Sequence, residues 1–272
     1  MIRHSRLRHT AALVLGLLSV SPAFAHRAWM LPSSTVLSGN DAWVTIDAAV
    51  SNDLFYFDHM PLRLDNLLIT APDGKPAEAQ NRNTGKYRST FDVALPQQGT
   101  YKIAMINDGL LANWKEDGKP KRWRGTVESF AKEVPANAQD LEVTQAQSRV
   151  ETFVTNGKPS TLAFKPLGRG LELVPVTNPT DLVASDPATF MLLLDGKPAQ
   201  NIKVSVVPGG SRYRDKVNDF TSTTGADGKF SIQWPSAGMY FIEASTSDTN
   251  VAVKQAKQRR ASYSATFEVA AP

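Results

Sequence analysis

The chain of 272 residues contains no cysteine. Disulfides and thiolate metal sites are therefore excluded, and any stability comes from packed cores. Histidine is scarce, with four in all, at positions 4, 9, 26 and 59. A Ser-His-Asp arrangement has too few imidazoles to draw on, and the scattered Asp and Glu residues suggest no facing pair of catalytic carboxylates. No catalytic residue is expected. Long apolar runs are also missing. The longest lies at residues 11–20 and is too short for a permanent membrane span. No heptad or solenoid period is visible.

What the N-terminus does hold is the pattern of an export signal: Arg3, Arg6 and Arg8, the apolar run, then Ala23-Phe24-Ala25, a small-x-small cleavage site. Residues 1–25 are read as a signal peptide, and the mature protein is expected in the periplasm, not spanning the membrane. Without its leader the chain carries 27 basic against 26 acidic residues. This balance gives no reason to expect nucleic acid as a partner.

The mature chain is patterned for strands. Residues 42–50 partly alternate and are rich in strand formers. Leu67-Leu68-Ile69-Thr70 runs into the turn Ala71-Pro72-Asp73-Gly74-Lys75-Pro76, and residues 87–95 and 100–105 follow with Gly and Pro between them. Residues 107–148 are more polar, with Trp114 and Trp123 in a charged stretch expected to be a long hairpin or loop, and with one short helix. A second strand-rich series begins after Pro166-Leu167-Gly168-Arg169-Gly170. It includes residues 189–194 and 202–206, the turn Gly225-Ala226-Asp227-Gly228 with its following strand, residues 237–244, and a last strand over 263–269. Arg259-Arg260 is read as flanking a loop before that strand.

The fold class predicted is all-β, with two immunoglobulin-like or transthyretin-like antiparallel β-sandwich modules in tandem. The boundaries are 26–165, with a long insertion near 107–148, and 166–272.

Cleavage after Ala25 would place His26 at the new terminus, with a free α-amine beside its imidazole. Amine and Nδ1 form a chelate, and a second imidazole completes the three-nitrogen arrangement called a histidine brace. Nitrogen donors in that geometry suit Cu(II) or Ni(II). His59 supplies the only other imidazole of the mature chain, and Asp58 is a weaker ligand candidate, because in a regular strand it points away from His59. Such a site competes with protons, so its affinity should fall as the solution is acidified. Residues 119–124, with Trp114 and Trp123, admit an anion- or sugar-gripping reading, but a solvated charged loop is favoured. Gly209-Gly210-Ser211-Arg212 lacks the ending of a phosphate loop and reads as a turn.

Several stretches together resemble a family of exported bacterial proteins of largely unknown function, associated with periplasmic nickel or cobalt uptake. They are Ala25-His26-Arg27-Ala28-Trp29-Met30-Leu31-Pro32, Phe55-Tyr56-Phe57-Asp58-His59, Leu171-Glu172-Leu173-Val174-Pro175-Val176-Thr177-Asn178-Pro179 and Gly225-Ala226-Asp227-Gly228-Lys229-Phe230. The second module also resembles the transthyretin-like or carboxypeptidase-regulatory-like sandwich. The resemblance implies an exported location and a divalent metal; with the donor chemistry of the two histidines, the expected ion is a divalent transition metal (nickel, cobalt or copper), and the expected partner is a membrane metal transporter. The expected function is thus that of a metal-binding uptake accessory using His26 and His59. The alternatives are a copper-dependent polysaccharide-oxidising enzyme, with Trp29, Trp43 or Trp123 near the metal, and a structural module without metal.

Overall fold

The computed structural model describes residues 26–272, so the expected signal peptide lies outside the described residues. In chain order the main elements begin with β1 (Arg27–Pro32), β2 (Trp43–Ser51), β3 (Leu67–Thr70), β4 (Gln80–Thr84), β5 (Ser89–Ala94) and β6 (Gly99–Glu116). Then come β7 (Lys119–Gly125), α1 (Val127–Glu133), β8 (Gln139–Asn156), β9 (Leu171–Pro175) and β10 (Pro187–Leu194). The series ends with β11 (Lys203–Pro208), β12 (Phe220–Thr223), β13 (Lys229–Gln233), β14 (Gly238–Asp248) and β15 (Gln258–Val269).

These strands make an all-β sandwich fold. A central sheet runs in the order β12-β11-β14-β15-β8-β6-β3, with β7 added to β6. Two smaller sheets flank it, β1-β2-β5-β4 and β9-β10 with β13. Pairing between these strands is antiparallel except at one seam, where β8 and β15 run in parallel from Thr144 opposite Gln258 to Thr152 opposite Thr266. That seam joins the two halves of the chain into one sheet.

The outer sheets lie on opposite faces of the central one. Along β8, Val150 and Val154 pack with Ile46, Phe91 and Tyr101 in a first core. Phe153, between them, packs with Phe190, Trp234 and Phe267 in a second. Alternate residues of a strand point to opposite faces, so the first outer sheet covers one face and the second covers the other. Each fully buried Phe, Tyr or Trp of these cores contributes on the order of 1.5–3 kcal/mol from burial. Residues 149–156 are buried throughout, and so are residues 99–105 of β6.

Burial on both faces would be costly for the polar residues of β8 without partners. Arg149 sits between Glu151 at 3.4 Å and Glu172 at 3.1 Å. Glu172 in turn accepts the backbone N–H groups of Leu167, Gly168 and Arg169 at 2.8, 2.6 and 3.2 Å. Thr155 shares hydroxyl hydrogen bonds with Thr100 and Thr180, and Asn178 accepts from Thr180. The stretch Leu171–Asn178 is therefore a structural lock. Gly225–Lys229 is likewise a tight turn, with Lys229 N–H donating to the Asp227 carboxylate at 3.1 Å.

Residues 107–148 form the outer halves of the long strands β6 and β8, with β7 and α1 between them. Trp114 and Trp123 pack with Leu110, Val143, Phe130 and Ala256 in a satellite core. Trp123 also donates its indole N–H to Glu133 at 2.7 Å. Arg259, expected to flank a loop, lies inside β15. It is buried and held by Asp195 at 2.7 Å and by Asp248 at 2.5 Å. The pair of arginines is split by strand alternation, with Arg259 turned inward and Arg260 exposed.

Candidate metal centre

His26 immediately precedes β1, and His59 immediately precedes a two-residue strand, Met60–Pro61. Both of these strands pair with β2, on its opposite sides. Val50 faces Ala28 on one side and Met60 on the other, and Arg27 faces Ser51. The two histidines thus flank the end of the same strand. Their rings meet with centroids 3.8 Å apart and planes 7° from parallel. Both residues are exposed.

The loop carrying His59 is firmly anchored. Residues 52–59 are not a strand, and Phe55 takes a positive φ of 65°. Regular alternation therefore does not apply to Asp58. Its carboxylate closes the loop by accepting the N–H groups of Asn52 at 3.0 Å and Asp53 at 3.2 Å. Trp29 donates its indole N–H to Ser51 at 2.7 Å, and Ser51 donates to the Asp53 carbonyl at 2.6 Å.

Phe55 and Phe57 lie 5.4 and 5.6 Å from the Trp29 ring. That aromatic group rests on Val207 and Phe241 of the other half of the chain. Tyr56 faces Tyr213 and the Arg212 guanidinium. Its hydroxyl is held above the ordinary tyrosine range, chiefly by its hydrogen bond with Tyr213. Arg27, beside His26, is neutralised by Glu243 at 3.0 Å.

The two imidazoles supply borderline-soft nitrogen donors of the kind a divalent transition ion takes. Stacked face to face, however, their lone pairs run side by side and do not converge. Donors trans across one ion stand about 4 Å apart, twice a metal–nitrogen bond of about 2.0 Å, with the rings beyond them. Binding one ion would require rotation of an exposed ring about its side-chain torsions, at small cost. Among the described residues no group of three or more His, Asp or Glu side chains is placed to hold a metal. Asp58 does not join the pair in such a group, which leaves the two imidazoles as the donors placed together here.

The anchoring of the His59 loop depends on contacts distant in the chain. The alternation Phe55-Tyr56-Phe57 was its one local signal, and the residues it rests on come from β11 and β14.

No helix among the described residues is long and apolar enough to cross a membrane. Solved structures to which the chain is similar include the D0–D1 domain of intimin, at 14% identity over 88% of this chain and 97% of that one, TM-score 0.24. Others are trypsin-activated α-2-macroglobulin from Escherichia coli, at 13% identity over 90% and 16%, TM-score 0.23, and the human OSCAR ligand-binding domain, at 12% over 90% and 100%, TM-score 0.20. No curated protein matches the chain. Residues 23–248, most of the sequence and both of its halves, match the profile described as a domain of unknown function, DUF4198. The chain belongs to that family.

Proposed function

We propose that this protein is an exported carrier of divalent transition-metal ions, a periplasmic uptake accessory that captures nickel, cobalt or copper at His26 and His59. The ion is cargo, handed on to a membrane transporter. The observation that carries the reading is the 3.8 Å contact between the two imidazoles, on strands that flank one end of β2. Residues far apart in the chain, and the only two histidines outside the expected leader, are brought together on an exposed edge. Removal of the leader adds an amine to the same edge. The resemblance to uptake-associated proteins and the transthyretin-like character of the second half belong to this reading.

Calorimetric titration of correctly processed protein with Ni(II), Co(II) and Cu(II) tests it. The expected result is one ion per chain, with affinity reduced at least about tenfold by His59→Ala and by one extra residue ahead of His26, as loss of a ligand requires. Affinity should also weaken on acidification, because protons compete for the same nitrogens. Equal affinity in all three proteins would end the idea.

A further inference from the structure

The face of the central sheet turned toward the first outer sheet is covered over only part of its width. From β7 through β6, β8, β15, β14 and β11 to β12, seven strands cross roughly 30 Å at the usual inter-strand spacing. Register fixes which side chains share the open side. Arg122 lies opposite Asn113, and Asn113 opposite Glu142. Arg124 follows two residues along. Thr144 faces Gln258, and Arg260 faces Ser247. Ser205 faces Glu243, with Lys203 two residues before it.

Arg122, Arg124, Arg260 and Lys203 are all exposed, and none has an ion-pair partner among the described residues. Glu142 is the unpaired carboxylate among them. Besides the Lys115–Asp140 ion pair and the half-buried Leu111, the rest of the open face is largely hydroxyl and amide. Trp114 and Trp123 alternate onto the opposite face, where they are packed.

We infer that this face binds an extended acidic polysaccharide, with the arginines on its carboxylates and the amide and hydroxyl side chains on its hydroxyls. A planar guanidinium suits a carboxylate bidentately, and a broad face of hydroxyl and amide side chains suits the hydroxyl groups of an extended sugar chain. Single-stranded nucleic acid calls for exposed aromatic rings to stack on bases, and a membrane surface calls for exposed apolar side chains to insert. This face offers neither. The inference does not depend on the metal reading, although the Arg27–Glu243 pair places His26 at the border of the face.

Affinity electrophoresis of the mature protein through gels holding polygalacturonate, or uncharged dextran, tests it without added metal. Retardation by polygalacturonate alone, weakening with salt, is expected. Arg122→Gln, Arg124→Gln and Arg260→Gln together should raise the apparent Kd about tenfold, each exposed contact contributing a factor of a few. Glu142→Gln should tighten binding. A control losing Lys119, Lys121 and Lys197, which lie on other faces, should leave it unchanged, and so should His59→Ala. Matching thermal unfolding of the variants and the parent shows the fold intact. No retardation by polygalacturonate, equal loss in the lysine control, or equally tight binding of single-stranded DNA or anionic vesicles would overturn the inference.

Discussion

Tyr263 is buried in the second core and donates its hydroxyl proton to Glu151 at 2.8 Å. Burial first, and the Glu151 charge second, push its phenol well above the ordinary tyrosine value. The folded chain therefore keeps a proton that the unfolded chain releases above about pH 10. The stability this residue contributes is fully present below that pH and is lost as pH rises further. Tyr263→Phe removes the titration but takes the donor from one buried oxygen of Glu151, Arg149 remaining on the other, which costs about 1–3 kcal/mol at neutral pH. Denaturant unfolding at neutral pH and at about pH 11 should show a less stable variant whose alkaline decline is shallower than that of the parent. Parallel declines in the two proteins would contradict this. At the same scale, His26 and His59 were legible as candidates because histidine is so scarce. The role of Asp58 was not legible, since it depends on the loop conformation around Phe55.

The outer hairpin of β6 and β7 is fixed by close approach as much as by burial. Gly125 lies opposite Leu110. A methyl group there would sit 2.6 Å from the Ser129 hydroxyl and against the Trp123 ring. Thr126 caps α1, accepting the Ser129 N–H while the Ser129 side chain accepts the Thr126 N–H. Gly125→Ala should thus destabilise the protein by about 1–3 kcal/mol through overpacking, with faster amide exchange concentrated in β7 and α1. Gly118 at the hairpin tip has open space around it but a φ of 74°. Gly118→Ala should cost about 1 kcal/mol, through backbone conformation alone. Exchange that rises equally everywhere in Gly125→Ala would refute the local origin.

The strands near 42–50, 67–70 and 203–208 could be read from alternation and turn residues because one or both faces are apolar. The extension could not be read as long strands. Its apolar face, at Leu110, Ala112 and Val143, is covered by α1 and by residues 251–256, and its other face is a row of charges and amides.

The molecule as a whole is joined by a sheet that neither half owns. The second core is built partly on β8, through Phe153, and the first core uses the same strand through Val150 and Val154. Parallel pairing of β8 with β15 brings together residues more than a hundred positions apart in the chain, which no local pattern foretells. Residues 166–170, which read as a connection between modules, are tied by three N–H bonds to Glu172, and Glu172 is tied to Arg149. Separating the halves would expose one face of β8 and leave Arg149 or its carboxylates buried or unpaired, a cost of several kcal/mol.

The two halves should therefore unfold together. Phe91→Ala in the first core and Phe267→Ala in the second should each cost about 3–5 kcal/mol and shift one shared transition. In scanning calorimetry the parent and both variants should show a single peak whose calorimetric and van't Hoff enthalpies agree. Two peaks, with Phe91→Ala moving only one and Phe267→Ala only the other, would mean that the seam yields before either core and that the halves are independent folding units.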